Sequence, residues 1–141
     1  MHLPPLRRGG VYWVAKRAWK SDMHLETLDE SFTICQVADY AQVDWSRNYV
    51  FAAKSEAENS LVCPSDCVPA NVTARDDGWR GFRIAGVLDF SLIGILSRYA
   101  MVLAEAKIAL FAVSTFNTDY LFVKAENFDR ALACLQAAGL A

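Results

Sequence analysis

Between Trp79 and Val123 the chain reads WRGFRIAGVLDFSLIGILSRYAMVLAEAKIALFAVSTFNTDYLFV, and the fold turns on how this stretch divides. Trp79 to Gly86 is an apolar-rich run closed by glycine, which predicts a strand. Beyond it, Leu92, Ile95, Leu96, Tyr99, Val102 and Leu103 recur at the spacing of one helical face. Asp89 or Ser91 is placed to cap that helix by accepting a backbone N–H. Ile108 to Val113 and Tyr120 to Val123 then read as two further strands. The polar STFNTD, Ser114 to Asp119, joins them without the Gly or Pro that such turns favour.

Downstream, Phe128, Leu132 and Leu135 mark a last helix, with several alanines permitting close approach and Gly139 ending it. The order strand, helix, strand, strand, helix is the ferredoxin-like βαββαβ pattern without its final strand. Upstream, FTICQV (Phe32–Val37), YVFAAK (Tyr49–Lys54) and SLVC (Ser60–Cys63) read as strands. Pro64 to Asp77, with prolines, small residues and acids, reads as a linker between halves. The strand-rich first half is too thin to fold alone and is the expected source of the missing sheet position. The expected class is therefore α+β, ferredoxin-like, with two interlocked half-domains and antiparallel sheets. The expected parts are a basic leader at 1–24, a strand-rich half at 25–72 and a second domain at 73–141.

Composition limits the possible functions. At 54% hydrophobic and 21% charged the chain is ordinary globular protein. No apolar run reaches the roughly 18 residues of a membrane span. The net charge of −2 hides an asymmetry. Residues 1–20 hold Arg7, Arg8, Lys16, Arg17 and Lys20 and no acid, so the remainder is acidic, an unsuitable surface for nucleic acid. RGFRI, Arg80 to Ile84, matches only the first three positions of the RNA-binding K/R-G-F/Y core. The leader lacks a secretory apolar core, which leaves a cytoplasmic location with reduced thiols as the expectation. Cys63 and Cys67 form CxxxC, but both histidines, His2 and His24, fall in the leader region, so no metal site and no Ser–His or Cys–His couple is expected. No cofactor-binding glycine loop is present.

The motifs GVLDFSLIGIL, LAEAKIALFAVSTFNTDYLFV and ENSLVCPSDCVP, with the opening LETLDESFTICQV, resemble tandem ACT-domain proteins of bacteria. They are also similar to the ACT modules of eukaryotic cytosolic arginine sensors. The resemblance covers about residues 25–140. It implies an ACT fold, regulation or sensing in place of catalysis, and a small ligand, often an amino acid, at an interface between ACT units. It also implies a homodimer or a partner protein. YVFAAK departs from the family, with Ala52, Ala53 and Lys54 where relatives often carry a threonine-arginine-threonine run.

An amino acid presents a carboxylate suited to a helix N-terminus and an ammonium suited to an anion. The helix head offers Ser91, Gly94 and Ile95, and glycine permits close approach of a ligand. The turn offers Phe116, Asn117, Thr118 and Asp119. By resemblance, Gly94, Ile95 and Phe116 to Asp119 border the ligand, with Ser60 and Leu61 as a facing wall. Leu92 stands where the arginine sensors carry an acid, which speaks against arginine. The structural alternatives stay open: Asp89 and Ser91 as caps only, Asp119 bonded to its own turn, Asn117 tolerating left-handed backbone, Phe116 packed in a core or dimer interface. A scaffold that oligomerises or binds a partner without any small ligand is the competing function.

Overall fold

The computed structural model describes residues 24–85 and 94–141. The expected caps Asp89 and Ser91, the position Leu92 and the basic leader lie outside the described residues. Strands β1 (His24–Val37), β2 (Phe51–Lys54), β3 (Asn59–Pro64) and β4 (Val72–Ala85) precede helix α1 (Ile95–Glu105); β5 (Leu110–Ser114), β6 (Asp119–Lys124) and helix α2 (Phe128–Ala137) come after it. The chain parts into an N-terminal unit, residues 28–81, and a C-terminal unit whose described residues are 24–27, 82–85 and 94–141. Both β1 and β4 are divided between these units.

In the C-terminal unit the strand order is β1-β4-β6-β5. This is the ferredoxin-like order, and the first residues of β1 fill the position that the sequence left vacant. Phe82 and Ile84 on β4 and Leu121 and Val123 on β6 alternate onto one face, as strand geometry requires. Both helices cover that face: Ile95, Tyr99 and Leu103 from α1 and Phe128, Ala131 and Leu135 from α2 join the same core. The rings of Phe82 and Phe128 stack at 4.7 Å between centroids.

Each helix ends in the same backbone motif. Beyond α1, Lys107 N–H bonds the Ala104 carbonyl and Ile108 N–H the Leu103 carbonyl; beyond α2, Gly139 bonds Gln136 and Leu140 bonds Leu135. These are Schellman caps, in which the residue after the helix turns left-handed. Gly139 does so at φ 77°, but Lys107 takes φ 60° with a full side chain. In both, the next residue, Ile108 or Leu140, is buried in the core.

The N-terminal unit has the order β2-β3-β1-β4. No helix succeeds β1 here. The Asp39 carboxylate accepts the Ala41 N–H, and that of Asp44 accepts the Ser46 N–H, local turns that compete with a helix for the backbone. The loop is fastened to the sheet instead: the Tyr40 hydroxyl donates to the carbonyls of Ala53 and Ser60. Cys35, Val37, Leu61 and Cys63 form the small core beneath it.

Several sequence boundaries move. β1 begins at His24, eight residues before Phe32, because its acidic start is held by side-chain pairing as well as apolar alternation. His24 therefore belongs to a strand, with its imidazole 3.6 Å from Glu26, which corrects its assignment to a leader outside the folded part. Val72 to Asp77, expected in the linker, opens β4. Its hold is polar: Thr73 donates to the Gln36 carbonyl, Arg75 grips Asp77, and buried Thr33 donates to Asp77 at 2.6 Å. β2 starts at Phe51 in place of Tyr49, whose backbone turns left-handed at φ 66°.

Candidate functional site

The β5–β6 connection is a tight hairpin. Ser114 stands opposite Asp119 in the register, and Thr115 N–H closes the turn on the Thr118 carbonyl at 2.8 Å. The Thr115 hydroxyl donates to that same carbonyl at 2.9 Å and accepts the Thr118 N–H at 3.3 Å. A threonine pair thus fills the role that Gly, Asn or Asp takes in other turns. Neither Asn117 nor Asp119 is used for it. Thr115 was not among the expected site residues; its place just before the turn tip, where a hydroxyl can close a local ring, is the signal that identifies it.

Thr118 also ties the turn to the sheet end. Its hydroxyl donates to the carbonyl of Ile84, the penultimate residue of β4. The chain leaves β4 at this end on its way to α1. Gly94, the N-cap of α1, takes φ 82° and supplies no side-chain cap. A methyl built on it would meet nothing within 4 Å. The first turn of a helix has no intrahelical acceptor for its N–H groups, so the head of α1 presents donors. Ile95 contributes its backbone alone, because its side chain is buried in the core.

At the turn tip Phe116 is 83% exposed, so it is not a core residue of this chain. Asn117 is exposed and Asp119 half-buried at the start of β6. Among the described residues the Asp119 side chain makes no hydrogen bond and no ion pair, which removes the reading in which it spends its oxygens on its own turn. Ser91 lies outside the described residues. Ser60 and Leu61 belong to β3 in the N-terminal unit. The Ser60 carbonyl accepts the Tyr40 hydroxyl at 2.9 Å, and Leu61, 1% exposed, packs into that unit's core.

Nearby charge is paired on the sheet face away from the helices. Arg83 on β4 donates to the Glu26 carboxylate through its Nε and Nη2. That hydrogen bond holds the Glu26 carboxyl below its ordinary value against the opposing effect of desolvation. In the other unit, burial pushes the Cys63 thiol up to about 12, and Cys35 and Cys67 also move up, chiefly through desolvation. High thiol values suppress the thiolate that nucleophilic chemistry needs. Among the described residues no group of three or more His, Cys, Asp or Glu side chains could hold a metal ion. No helix among them is long and apolar enough to cross a membrane.

The ACT domain family matches residues 74–137, which run from β4 through α2. No curated protein matches the chain. A crystal structure of an Agobacterium tumefaciens protein is similar over 85% of this chain and 91% of its own, at 29% identity and a TM-score of 0.75. A Vibrio cholerae protein described as of unknown function and a possible transport protein covers 89% of this chain and 97% of its own, at 17% identity and TM-score 0.67. The regulatory subunit of aspartate kinase from Thermus thermophilus shares the fold over 81% of this chain and 93% of its own, at 10% identity and TM-score 0.53. The fold is α+β and ferredoxin-like, of the ACT type.

Proposed function

We propose that the chain is a non-catalytic regulatory module that senses a free amino acid at the STFNTD end of its C-terminal unit. The observation that carries the reading is Asp119: a half-buried carboxylate beside a turn whose internal bonds are made by Thr115 and Thr118. In this reading Asp119 and Asn117 receive the ligand's ammonium. The N–H groups at the head of α1, from Gly94 through Ile95, receive its carboxylate, where the helix dipole favours an anion. Ser91 adds a hydroxyl, and Phe116 covers the apolar stem. Leu92 offers no acid for a guanidinium, so the ligand is not arginine.

The match of the ACT domain family to residues 74–137 supports a regulatory role, as does the fold shared with a subunit named as regulatory. We read residues 28–81 as a second, degenerate ACT-like unit. In support, its β2–β3 hairpin repeats the β5–β6 hairpin: Lys54 faces Asn59 as Ser114 faces Asp119. Ser55 N–H closes on the Glu58 carbonyl as Thr115 closes on Thr118. The output runs through a homodimer or a partner protein in the cytoplasm.

A thermal-shift screen of the free amino acids on the full chain tests the proposal. At about 100 times its Kd a true ligand adds roughly 2.7 kcal/mol of stability. Asp119→Ala should abolish that gain while leaving the ligand-free midpoint nearly unchanged, because among the described residues the Asp119 side chain has no hydrogen bond to lose. If no amino acid stabilises the parent, the sensor reading fails. If Asp119→Ala keeps the full response, the site is elsewhere.

A further inference from the structure

Three of the four cysteines gather in the small core of the N-terminal unit. Cys35 and Cys63 are buried in it, and Cys67 packs against it from the short 3-10 turn Ser65–Cys67 that succeeds β3. The Cys63 thiol interacts with both of the others. Among the described residues they form no group that could hold a metal ion, so the chemistry open to them is that of thiols with one another. Buried cysteines commonly serve as small apolar residues, and Cys35 fits that role. It pairs with Leu61 while Cys63 pairs with Thr33, so Cys35 and Cys63 are diagonal neighbours across the ladder. Such neighbours lie about 7–8 Å apart, beyond the ~4.4–6.8 Å Cα span of a disulfide. Cys67 is placed differently. Its thiol donates to the Pro64 carbonyl at 3.3 Å, so the turn folds it back on the residue next to Cys63. It is also the partly exposed member of the three.

We propose that Cys63 and Cys67 are an oxidation latch, a disulfide formed by exchange with a small-molecule disulfide such as oxidised glutathione, which ties the end of β3 to the turn beyond it. Cys67 acts first. Desolvation raises its thiol, helped by the Asp66 and Asp44 carboxylates, while the Arg47 guanidinium and the Cys63 thiol draw it down. For Cys63, burial and both neighbouring thiols all act upward, to about 12. The Cys67 thiolate attacks one sulfur of glutathione disulfide, forms a mixed disulfide and expels one glutathione thiolate. Cys63 gives its proton to solvent, attacks the Cys67 sulfur and expels the second glutathione. The protein pair loses two electrons and two protons, and the glutathione disulfide becomes two thiols. Scarce thiolate makes both steps slow at neutral pH. The same property makes Cys63 a poor leaving group, so the bond once formed resists reopening. Ser65 lies inside the closed loop. Its hydroxyl meets that of Thr33 at 2.8 Å, and Thr33 donates to Asp77 at the start of β4, so the latch closes beside the polar bonds that hold that strand. The site belongs to residues 28–81 and does not rest on the amino-acid reading.

The test uses the full chain. It is incubated with oxidised glutathione, its remaining thiols are blocked by alkylation in urea, and it is digested with trypsin. Cys63 and Cys67 share the peptide 55–75, while Cys35 falls in 21–47 and Cys134 in 131–141. The titratable thiols should fall from four to two. Peptide 55–75 should carry no alkyl group and be lighter than its reduced form by two hydrogens, and dithiothreitol should restore all four thiols. Cys35→Ser should keep the bridge, Cys67→Ser should lose it, and Cys63→Ser should stop at glutathione held on Cys67. A closed loop restricts the unfolded chain, so oxidation should raise the urea midpoint of the parent and leave that of Cys67→Ser unchanged. Alkylation of both cysteines in the folded parent, under an exposure that bridges the urea-unfolded chain, overturns the proposal. So does a bridge joining peptides 21–47 and 55–75, or a midpoint that does not rise.

Discussion

Replacing Tyr99 by phenylalanine should reverse its effect on stability between neutral and alkaline pH. Tyr99 lies in the middle of α1, 1% exposed, and its hydroxyl donates to the Leu140 carbonyl at 2.9 Å. At neutral pH, Tyr99→Phe loses one buried hydrogen bond, a cost of about 1 kcal/mol. At high pH a second effect enters. Burial pushes the Tyr99 hydroxyl from 10.0 up to about 12. In the folded state the group therefore keeps its proton through a window in which the unfolded chain has lost it. Where the native state binds more protons, stability falls as pH rises. The stability is full below pH 10 and is lost towards pH 12. At about 1.36 kcal/mol per unit the loss approaches roughly 2.7 kcal/mol. Phenylalanine has no proton to lose. The two stability curves should therefore cross near pH 11, with the variant about 1 kcal/mol weaker at pH 7 and more stable at pH 12. Urea unfolding at a series of pH values measures this directly, and the other alkaline groups, Cys63 among them, cancel in the difference. Parallel curves would refute the reasoning, because they would mean that Tyr99 is neither buried nor bonded beneath the chain's last turn.

The turn and the helix cap are open to similar tests. Thr118→Val keeps the backbone closure of the hairpin but removes the donor to Ile84. It should lower stability by about 1–2 kcal/mol and weaken any amino-acid response, both read by thermal shift; an unchanged midpoint would show that the anchor contributes nothing. Lys107→Gly places the residue that tolerates left-handed backbone at φ 60°. It should raise stability by about 1 kcal/mol in a urea titration, and a loss would mean that the Lys107 side chain outweighs its backbone strain.

Legibility in the sequence belonged to whatever repeats with a period. The α1 face and the strands at Phe32, Ser60 and Tyr120 could be read because apolar side chains alternate or recur there. Gly139 marked the end of α2 because glycine occupies the left-handed cap cheaply. Lys107 performs the same task invisibly, since its cap depends on Ile108 being drawn into the core and not on its own propensity. The starts of β1 and β4 were hidden for a related reason. Glu26, Thr73, Arg75 and Asp77 look like loop residues, and only the partners that the fold brings to them, Arg83, Gln36 and Thr33, make them strand residues. At the candidate site, the chemistry of STFNTD was legible, but the division of labour within it was not. A sequence cannot say which of two threonines, an asparagine and an aspartate closes a turn, because all four can.

The two hairpins allow that division to be argued within one molecule, since their backbones obey the same scheme. In the first, the polar side chains at the corresponding positions are occupied by their own chain. Asn59 donates to the Ala38 carbonyl, Lys54 reaches the Asn59 oxygen, and Glu58 accepts from Gln36. In the second, Asp119 takes the place of Asn59 and Asn117 that of Ala57. Among the described residues neither side chain makes a hydrogen bond. After β1 comes a loop whose carbonyls and tyrosine reach back to the β2–β3 hairpin and satisfy it. In the C-terminal unit the first turn of α1 carries N–H donors without a side-chain cap from Gly94, which suit an anion, as the Asp119 carboxylate suits a cation. In the proposed reading the two together take the charges of a zwitterion. Asn59 and its neighbours are thus spent on the fold in one unit, whereas in the other Thr115 and Thr118 hold the turn and the side chains of Asn117 and Asp119 stay unbonded among the described residues, which is the pattern expected if the second hairpin holds a ligand and the first holds only the fold.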